Sequence, residues 1–563
     1  MGIFLLYNRI YNIAMDKAER VRKTLQLWNS LKSARTNHEQ MWENITRFCA
    51  PDRDFWTMVR ETPQQSARHI FDGTPLSAVN IMANALQGYM ASKQTKSFKV
   101  GIESHRTLRY QPFEGRMRRY MQDLEEGMYW MINRSNFYDM INEVFRVGAT
   151  IATASLFVDV VPGEDRIVNL LAHPKDIWIS ENEARIVDTV FRRLQMNAKD
   201  IIRRWPNSLD QKFKDEAKNN PFEPFEILHV TLPRDARDVT KIDNLNKPFA
   251  SYWILPITNT LLGESGFDEN PYITWRWSTP NSSTYGWGPS HSAMAEILRL
   301  NKVSKTMTDA AELSVFPALN VPAEQNGKLD LRAKGMNPYV DPSRIITPIQ
   351  QVGSYPIGRD REEAIERAVR DHYMVDMFLM LNNQAESKKT ATEILEMQSE
   401  KAAIMGAITS RIESELFDPL FDRYFEIGMT NGWLPSPPPE AYDILQGAEL
   451  KIDYIGPMSQ IQKRFYEMQS IDAPLERLIK YGQFMPEVMD VLDPSEVGMR
   501  LVNESSLPQS LIRDRKEVDA IRQQRAQMQQ AKLQAENAQR NSQAIKNLGD
   551  ANQQALQQMM GSV

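Results

Sequence analysis

Apolar residues recur at helical spacing along most of the chain and switch to strand spacing in one central region. Between Met15 and about Ala50, Val21, Leu25, Trp28, Leu31, Trp42, Ile45 and Phe48 follow a period near 3.6, and Pro51 stops the run. Asp72 or Thr74 is placed to cap a second helix, Pro75 suits its first turn, and Ala78, Met82, Leu86 and Tyr89 share one face. A third helical stretch is expected from about Arg116 to Val147. Gly148 then marks a change to strand period: Leu156, Val158 and Val160 alternate, and Ile167, Val168 and Leu170 read as a partner strand across the PGED turn. The β character continues through HPKDIWIS, ARIVDTVFRRL, FEILHVTL, SYWILP and YITWRWS, interrupted by a short helix, AKDIIRRWP, that Pro206 ends. Residues from about 150 to 280 therefore predict an antiparallel sheet, and the chain as a whole is α+β.

Pro289 or Ser290 opens the next helix, with Ala293, Ile297, Leu300, Val303, Met307 and Ala310 as its apolar positions and Pro317 as its end. Six prolines (317, 322, 338, 342, 348 and 356) make the stretch from about Val315 to Gly358 loops and short strands. Arg359 to Phe378 reads as one helix, and Met380 to Lys389 as a polar loop. A long helix follows, with Ile394, Met397, Ala402, Met405, Ile408, Ile412, Leu416 and Leu420 mostly on one face. Thr390 and Glu393 fit a capping box at its start, Pro419 predicts a kink late in it, and Gly428 and Gly432 predict its end. At well over the usual three turns, it has the length of a spoke or lever.

After Trp433, SPPPEAYDIL is a connector, AELKIDYIG a strand expected to return to the sheet, and SQIQKRFYEMQSIDAPLERLIKYG helical. From Arg522 the chain is rich in Gln, Ala and Asn, with a weak seam through Val518, Ile521, Met528 and Leu533. A helix this polar is marginal alone and needs neighbouring copies; the reading is a helical first part and disorder toward Val563.

The chain has 563 residues, 42% hydrophobic and 25% charged, which is ordinary for a globular protein of several domains. Its net charge of −5 counts against a tight nucleic-acid binder but not against a conduit, which a strongly basic wall would obstruct. Cys49 is the one cysteine, so neither an internal disulfide nor a cysteine-based zinc site can form, which fits a reducing cytoplasm. The apolar run from Ala149 to Val161 is too short and too interrupted to span a bilayer, and the first residues lack the pattern of a signal peptide.

Catalytic patterns are missing. No glycine-rich loop followed by Lys-Ser/Thr is present, so no P-loop. Gly263-Glu264-Ser265-Gly266 lacks the spacing of a nucleophile elbow. The seven histidines (38, 69, 105, 173, 229, 291 and 372) are scattered without HxxxH spacing, and Asp52/Asp54 suggest a turn and not a metal site. The 29 methionines and 11 tryptophans read as core and interface filler.

Several blocks in order carry a resemblance: RTNHEQMWENITRFCAPDRDF, IFDGTPLSAVNIMANALQGYMASKQTKSFKV, SNFYDMINEVFRVGATIATASLFVD, IVDTVFRRLQMNAKDIIRRWP, TATEILEMQSE, ELFDPLFDRYFEIGMTNGWLP, and FMPEVMDVLDPSEVGMRLVNESSLPQSLIRDRKEVDAIRQQRAQMQQ. Together they resemble the portal (head-to-tail connector) proteins of short-tailed, T7-like double-stranded DNA bacteriophages. Tyr285–Gly286 with Gly288–Pro289 matches the family's turn into its first stem helix. The resemblance covers nearly the whole chain.

It implies a portal fold: a mostly helical wing with an antiparallel β part over 1–287, stem helix 1 over 288–314, a β/loop clip over 315–358 and stem helix 2 over 359–378. A tunnel loop would follow over 379–390, then the long helix and C-terminal wing over 391–504, and a helical crown with a disordered tail over 505–563. Asn382, Asn383, Gln384, Ser387, Lys388 and Lys389 would line the DNA channel, offering phosphate donors without base-reading geometry. Gln325, Asn326, Lys328, Arg332, Lys334 and Arg344 would form the clip face for tail and terminase. The implied state is a dodecameric ring at one capsid vertex of the virion, assembled in the host cytoplasm. Its implied partners are double-stranded DNA, the terminase large subunit, tail adaptor and tail tube proteins, major capsid, scaffolding and internal core proteins, with no membrane, cofactor or metal. Two rival readings are an α+β enzyme with a helical tail, and a scaffold or minor capsid protein without a channel.

Overall fold

The computed structural model describes residues 17–52, 69–103, 115–234, 237–241, 243–315, 319–320, 347–348, 355–382, 405–437, 439, 449–456, 478, 480 and 515–560. In chain order these hold α1 (Lys17–Cys49), α2 (Thr74–Met90), β1 (Phe98–Glu103), α3 (Gly115–Arg134), α4 (Phe137–Thr150), β2 (Thr153–Val160), β3 (Ile167–Ala172), β4 (Ile177–Glu181) and β5 (Val187–Asn197). There follow α5 (Ala198–Arg204), α6 (Gln211–Asn219), β6 (Pro224–Pro233), β7 (Phe249–Leu255), β8 (Thr260–Phe267), β9 (Tyr272–Arg276) and α7 (Pro289–Val315). The rest are β10 (Leu319–Asn320), β11 (Thr347–Pro348), α8 (Tyr355–His372), α9 (Val375–Asn382), helical residues 405–412, a π turn (Glu413–Phe417), α10 (Asp418–Thr430), β12 (Glu449–Tyr454) and α11 (Arg515–Met560). The mixture of helices with antiparallel sheet is the expected α+β class.

The chain divides into two compact units. One comprises residues 1–99, 128–433 and 453–470; the other comprises 100–127, 434–452 and 471–563. The first contains both larger sheets. A five-stranded antiparallel sheet runs in the order β4-β5-β6-β7-β8, and a three-stranded one in the order β3-β2-β9. Strand alternation gives the larger sheet two apolar faces. Leu228, Val230 and Ile254 point to one, where Val21 and Trp28 of α1 cover them. Their neighbours Ile227 and Leu255 point to the other, covered by Ala198, Ile201, Phe213 and Ala217 of α5 and α6. β2 and β3 form the expected hairpin across Pro162–Asp165, with Val160 opposite Ile167.

Four boundaries differ from the sequence reading. The stretch over 116–147 is two helices, parted at Ser135–Asn136, where the Asn136 side chain bonds the Asn169 backbone. Gly148 lies inside α4, and the change to strand comes at Ala152, held at φ +62°. A Cβ on Gly148 would lie 2.0 Å from the Trp275 ring, so that glycine permits close packing and does not mark the boundary. β12 pairs with β1 in a separate two-stranded sheet and not with the larger ones. α11 is helical to Met560, where disorder had been expected toward the end. Among the described residues, no helix is long and apolar enough to cross a membrane.

Candidate channel-forming elements

α7 and α8 are the two helices whose counterparts the resemblance would place along a channel, and both are anchored at one end. The turn before α7 is seated by its glycines. A Cβ on Gly286 would lie 2.1 Å from the Ala152 carbonyl oxygen, and the Gly286 amide donates to Thr153 Oγ1 at 2.8 Å. The first turn of α7 then makes a buried polar joint. Ser290 Oγ donates to the Ala149 carbonyl at 2.8 Å and lies 2.6 Å from the Tyr373 hydroxyl, which reaches Cys49 Sγ at 3.6 Å. His291 Nε2 accepts from the Trp42 indole at 3.2 Å. Burial pushes the His291 pKa down to about 4, with His38 adding a smaller push in the same direction, so the ring stays neutral and can accept. Burial likewise raises the Cys49 thiol to about 11, leaving it an inert structural group.

Beyond this joint, α7 and α8 pack along their lengths. Ile297 and Leu300 of α7 and Ile365 and Val369 of α8 are buried. Gly358 allows the close approach at the far end, since a Cβ there would lie 2.4 Å from the Met307 sulfur. The helix expected over 359–378 is two. Tyr373, fully buried, and Met374, at φ +54°, break it, and the Arg370–Asp376 ion pair bridges the break at 2.5 Å. A left-handed methionine costs on the order of 1 kcal/mol, which the Tyr373 hydrogen bonds offset.

The seam between α2, α7 and α8 carries carboxylates from Asp72, Glu362 and Glu366 within 4.8 Å of one another, the spacing of a metal site. Its acids already serve the fold: Asp72 caps the Thr74 amide at 2.7 Å and Glu362 accepts from Ser304. Burial raises the Glu366 pKa, and the neighbouring charges of Asp72, Glu362 and Glu363 add to the rise.

Of the residues expected to face DNA, Asn382 ends α9. Asn383, Gln384, Ser387, Lys388 and Lys389 lie outside the described residues, as do the clip residues Gln325, Asn326, Lys328, Arg332, Lys334 and Arg344. β10 and β11 pair antiparallel within the proline-rich stretch, Leu319 opposite Pro348. The structure also settles other candidates. Glu264, in the elbow lookalike, lies in β8 and is ion-paired to Arg20 at 2.8 Å and Arg234 at 3.0 Å. Asp52 pairs with Arg146 at 2.9 Å. His372 sits 3.8 Å from Glu296.

The sequence reading missed a joint around Arg276 and Glu415. It connects β9, the turn before α7 and the helix of residues 405–430 through groups 139 residues apart. The one local signal was Pro419, which was read as a kink; the structure meets it with a π turn.

In the described part of the chain, buried polar groups are used to fasten helices to strands, and most described side chains of the 46-residue helix α11 are exposed. The chain belongs to the bacteriophage head to tail connecting protein family, whose model matches residues 21–512. It is 25% identical over 536 residues to the portal protein of Salmonella phage epsilon15, covering 92% of this chain and 93% of that one. It is 23% identical over 540 residues to a probable portal protein of Bordetella phage BPP-1, covering 92% and 94%. Among solved structures, the neck of an empty GTA particle computed with C6 symmetry matches at a TM-score of 0.33 and 11% identity, over 78% of this chain and 93% of that one. That last likeness is too slight to define a fold.

Proposed function

We propose that this chain is one subunit of a portal ring at a single capsid vertex, a channel for packaging, retaining and ejecting double-stranded DNA. The carrying observation is the family match across residues 21–512, with two portal relatives aligned over 92% of the chain. The geometry is in keeping with that role. α7 and α8 are fixed at one end by the Ser290–Tyr373 joint, so a ring of copies would present them at a constant angle. Stem, clip, tunnel loop and crown are assigned as the resemblance implies. The terminase large subunit supplies the ATP hydrolysis and docks at the clip, which tail adaptor and tail tube proteins occupy later. Capsid, scaffolding and internal core proteins surround the ring, and assembly takes place in the host cytoplasm.

Symmetry multiplies the weak phosphate contacts of Asn382, Asn383, Gln384, Ser387, Lys388 and Lys389 into a continuous lining. The double substitution Lys388→Glu with Lys389→Glu tests this. Rings of unchanged mass whose particles lose genome are expected; particles filled to the wild-type level would refute the tunnel-loop assignment. A wild-type assembly without a central hole would instead support the scaffold reading.

A further inference from the structure

The helix of residues 405–430 is tied to the start of α7 through one buried arginine, and a single irregular turn sets that tie. Pro419 has no amide hydrogen for the Glu415 carbonyl, and its ring would strike that carbonyl in a regular helix. The chain forms one π turn, Glu413–Phe417, in which the Asp418 amide reaches the Glu413 carbonyl five residues back. The Glu415 side chain leaves this turn toward β9. Its Oε2 accepts the backbone amide of Arg276 at 3.1 Å, and its Oε1 accepts Arg276 Nη2 at 3.3 Å and Arg411 Nη1 at 3.4 Å.

Arg276 is 2% exposed, and its two Nη groups donate further to the loop that leads into α7 and to the chain beside it. Nη1 donates to Glu181 Oε2 at 2.7 Å and to the Thr284 carbonyl at 3.2 Å, and Nη2 to the Arg185 carbonyl at 2.7 Å. Arg185, held at φ +62°, donates in turn to the carbonyls of Pro280 at 2.9 Å, Ser283 at 3.2 Å and Asn281 at 3.3 Å. Trp277, next after Arg276, donates its amide to the Ala152 carbonyl at 2.9 Å, beside the seat of Gly286. The loop of residues 277–288 is thus gripped by two arginines, and one of them is oriented by Glu415.

We propose that Glu415 is a positioning residue for α7: the π turn aims its carboxylate, and through Arg276 that carboxylate fixes the loop from which α7 starts. Relaxing the π turn to regular helix rotates residues on its two sides by about 100° relative to one another and withdraws Glu415 from Arg276. Pro419 bars that regular helix, so the turn holds its π position, and that position is passed to α7 over a contiguous set of hydrogen bonds. The consequence for a channel rests on the portal reading; the tie itself does not.

Hydrogen–deuterium exchange on the full-length assembled protein tests the tie. Glu415→Ala is expected to speed exchange at least tenfold at the amides of Arg276 and Trp277 and across residues 284–292, leaving β5, β6 and β7 unchanged. Glu415→Gln keeps an oxygen for the Arg276 amide and should give an intermediate change. Pro419→Ala, which removes the need for the π turn, should reproduce the alanine pattern with Glu415 still present. Faster exchange confined to the Arg276 amide, or spread evenly through β5–β7, would overturn the proposal. So would a Pro419→Ala pattern identical to wild type. Genome retention in particles carrying Glu415→Gln is the functional readout: retention is expected to fall while ring mass stays constant. Unchanged exchange in a ring that holds DNA sinks the tie alone. A wild-type assembly with no hole sinks the portal reading and leaves the exchange result standing.

Discussion

α1 and α11 are both long helices with residues repeating every seven positions, and they meet opposite fates. In α1, Val21, Trp28, Arg35, Trp42 and Cys49 are spaced by seven and all are buried. Each finds a partner in its own chain: Trp28 lies edge-on to Trp178, Arg35 donates to the Ile177 carbonyl at 2.7 Å, Trp42 bonds His291, and Cys49 meets Tyr373. In α11, Ile521, Met528, Ala535 and Ser542 keep the same spacing, yet Met528 is 65% exposed, and Ala535 and Ser542 are exposed too. A seven-residue repeat suits a left-handed supercoil with other helices. The spacing thus says that a stripe exists; whether it is covered by the same chain or by another copy depends on tertiary structure.

Three changes separate the two helices. The largest effect is expected from Trp42→Ala, which empties a site packed against Tyr285 and His38 and removes the donor to His291 Nε2. A loss of about 3–5 kcal/mol in denaturant unfolding is expected; a loss under about 1 kcal/mol would mean α1 is not fastened as described.

The second probes the sheet that α1 covers. His229 is fully buried, with its ring nitrogens 2.6 Å from the Tyr272 hydroxyl and 2.9 Å from Ser251 Oγ, and burial pushes its pKa down to about 3, with the charges of Arg192 and Arg204 adding to the fall. A depressed histidine binds its proton more readily unfolded, so its stabilising contribution is complete above the usual 6.5 and declines as pH falls toward the folded value. Relative to His229→Gln, the wild type should lose about 2–3 kcal/mol between roughly pH 6.5 and 4.5. Parallel pH profiles of the two proteins would contradict this.

The smallest effect is expected in α11. Met528→Ser should change unfolding of the second unit, which holds α11, by less than about 0.5 kcal/mol, because 65% of that side chain is already exposed. A shift beyond about 1 kcal/mol would mean that α11 is covered within its own chain.

The contrast also marks what the sequence could convey. α1 and α7 were legible because tryptophan spacing and Pro51 for the one, and Pro289 and Pro317 for the other, are local signals. The hairpin of β2 and β3 was legible for the same reason, with a four-residue turn between alternating strands. The break between α8 and α9 was hidden, since Tyr373 and Met374 carry no breaker signal, and the Tyr373 hydroxyl that anchors the bend bonds the distant Ser290 and Cys49. The pairing of β1 with β12 and the tie between Arg276 and Glu415 were hidden too, because each joins segments far apart in the chain. The residues expected to face DNA were assigned by resemblance, and beyond Asn382 they fall outside the described residues.

What a lone subunit leaves exposed in α11 and holds rigid at the base of α7 both make sense in a closed circle of copies. Electron cryo-microscopy of the purified full-length protein, with its solution mass, measures this directly. The account predicts a closed ring, many times the 64.9 kDa subunit in mass, around a hole wide enough for a DNA duplex. A monomer under all conditions, or an assembly whose centre is filled, would contradict it.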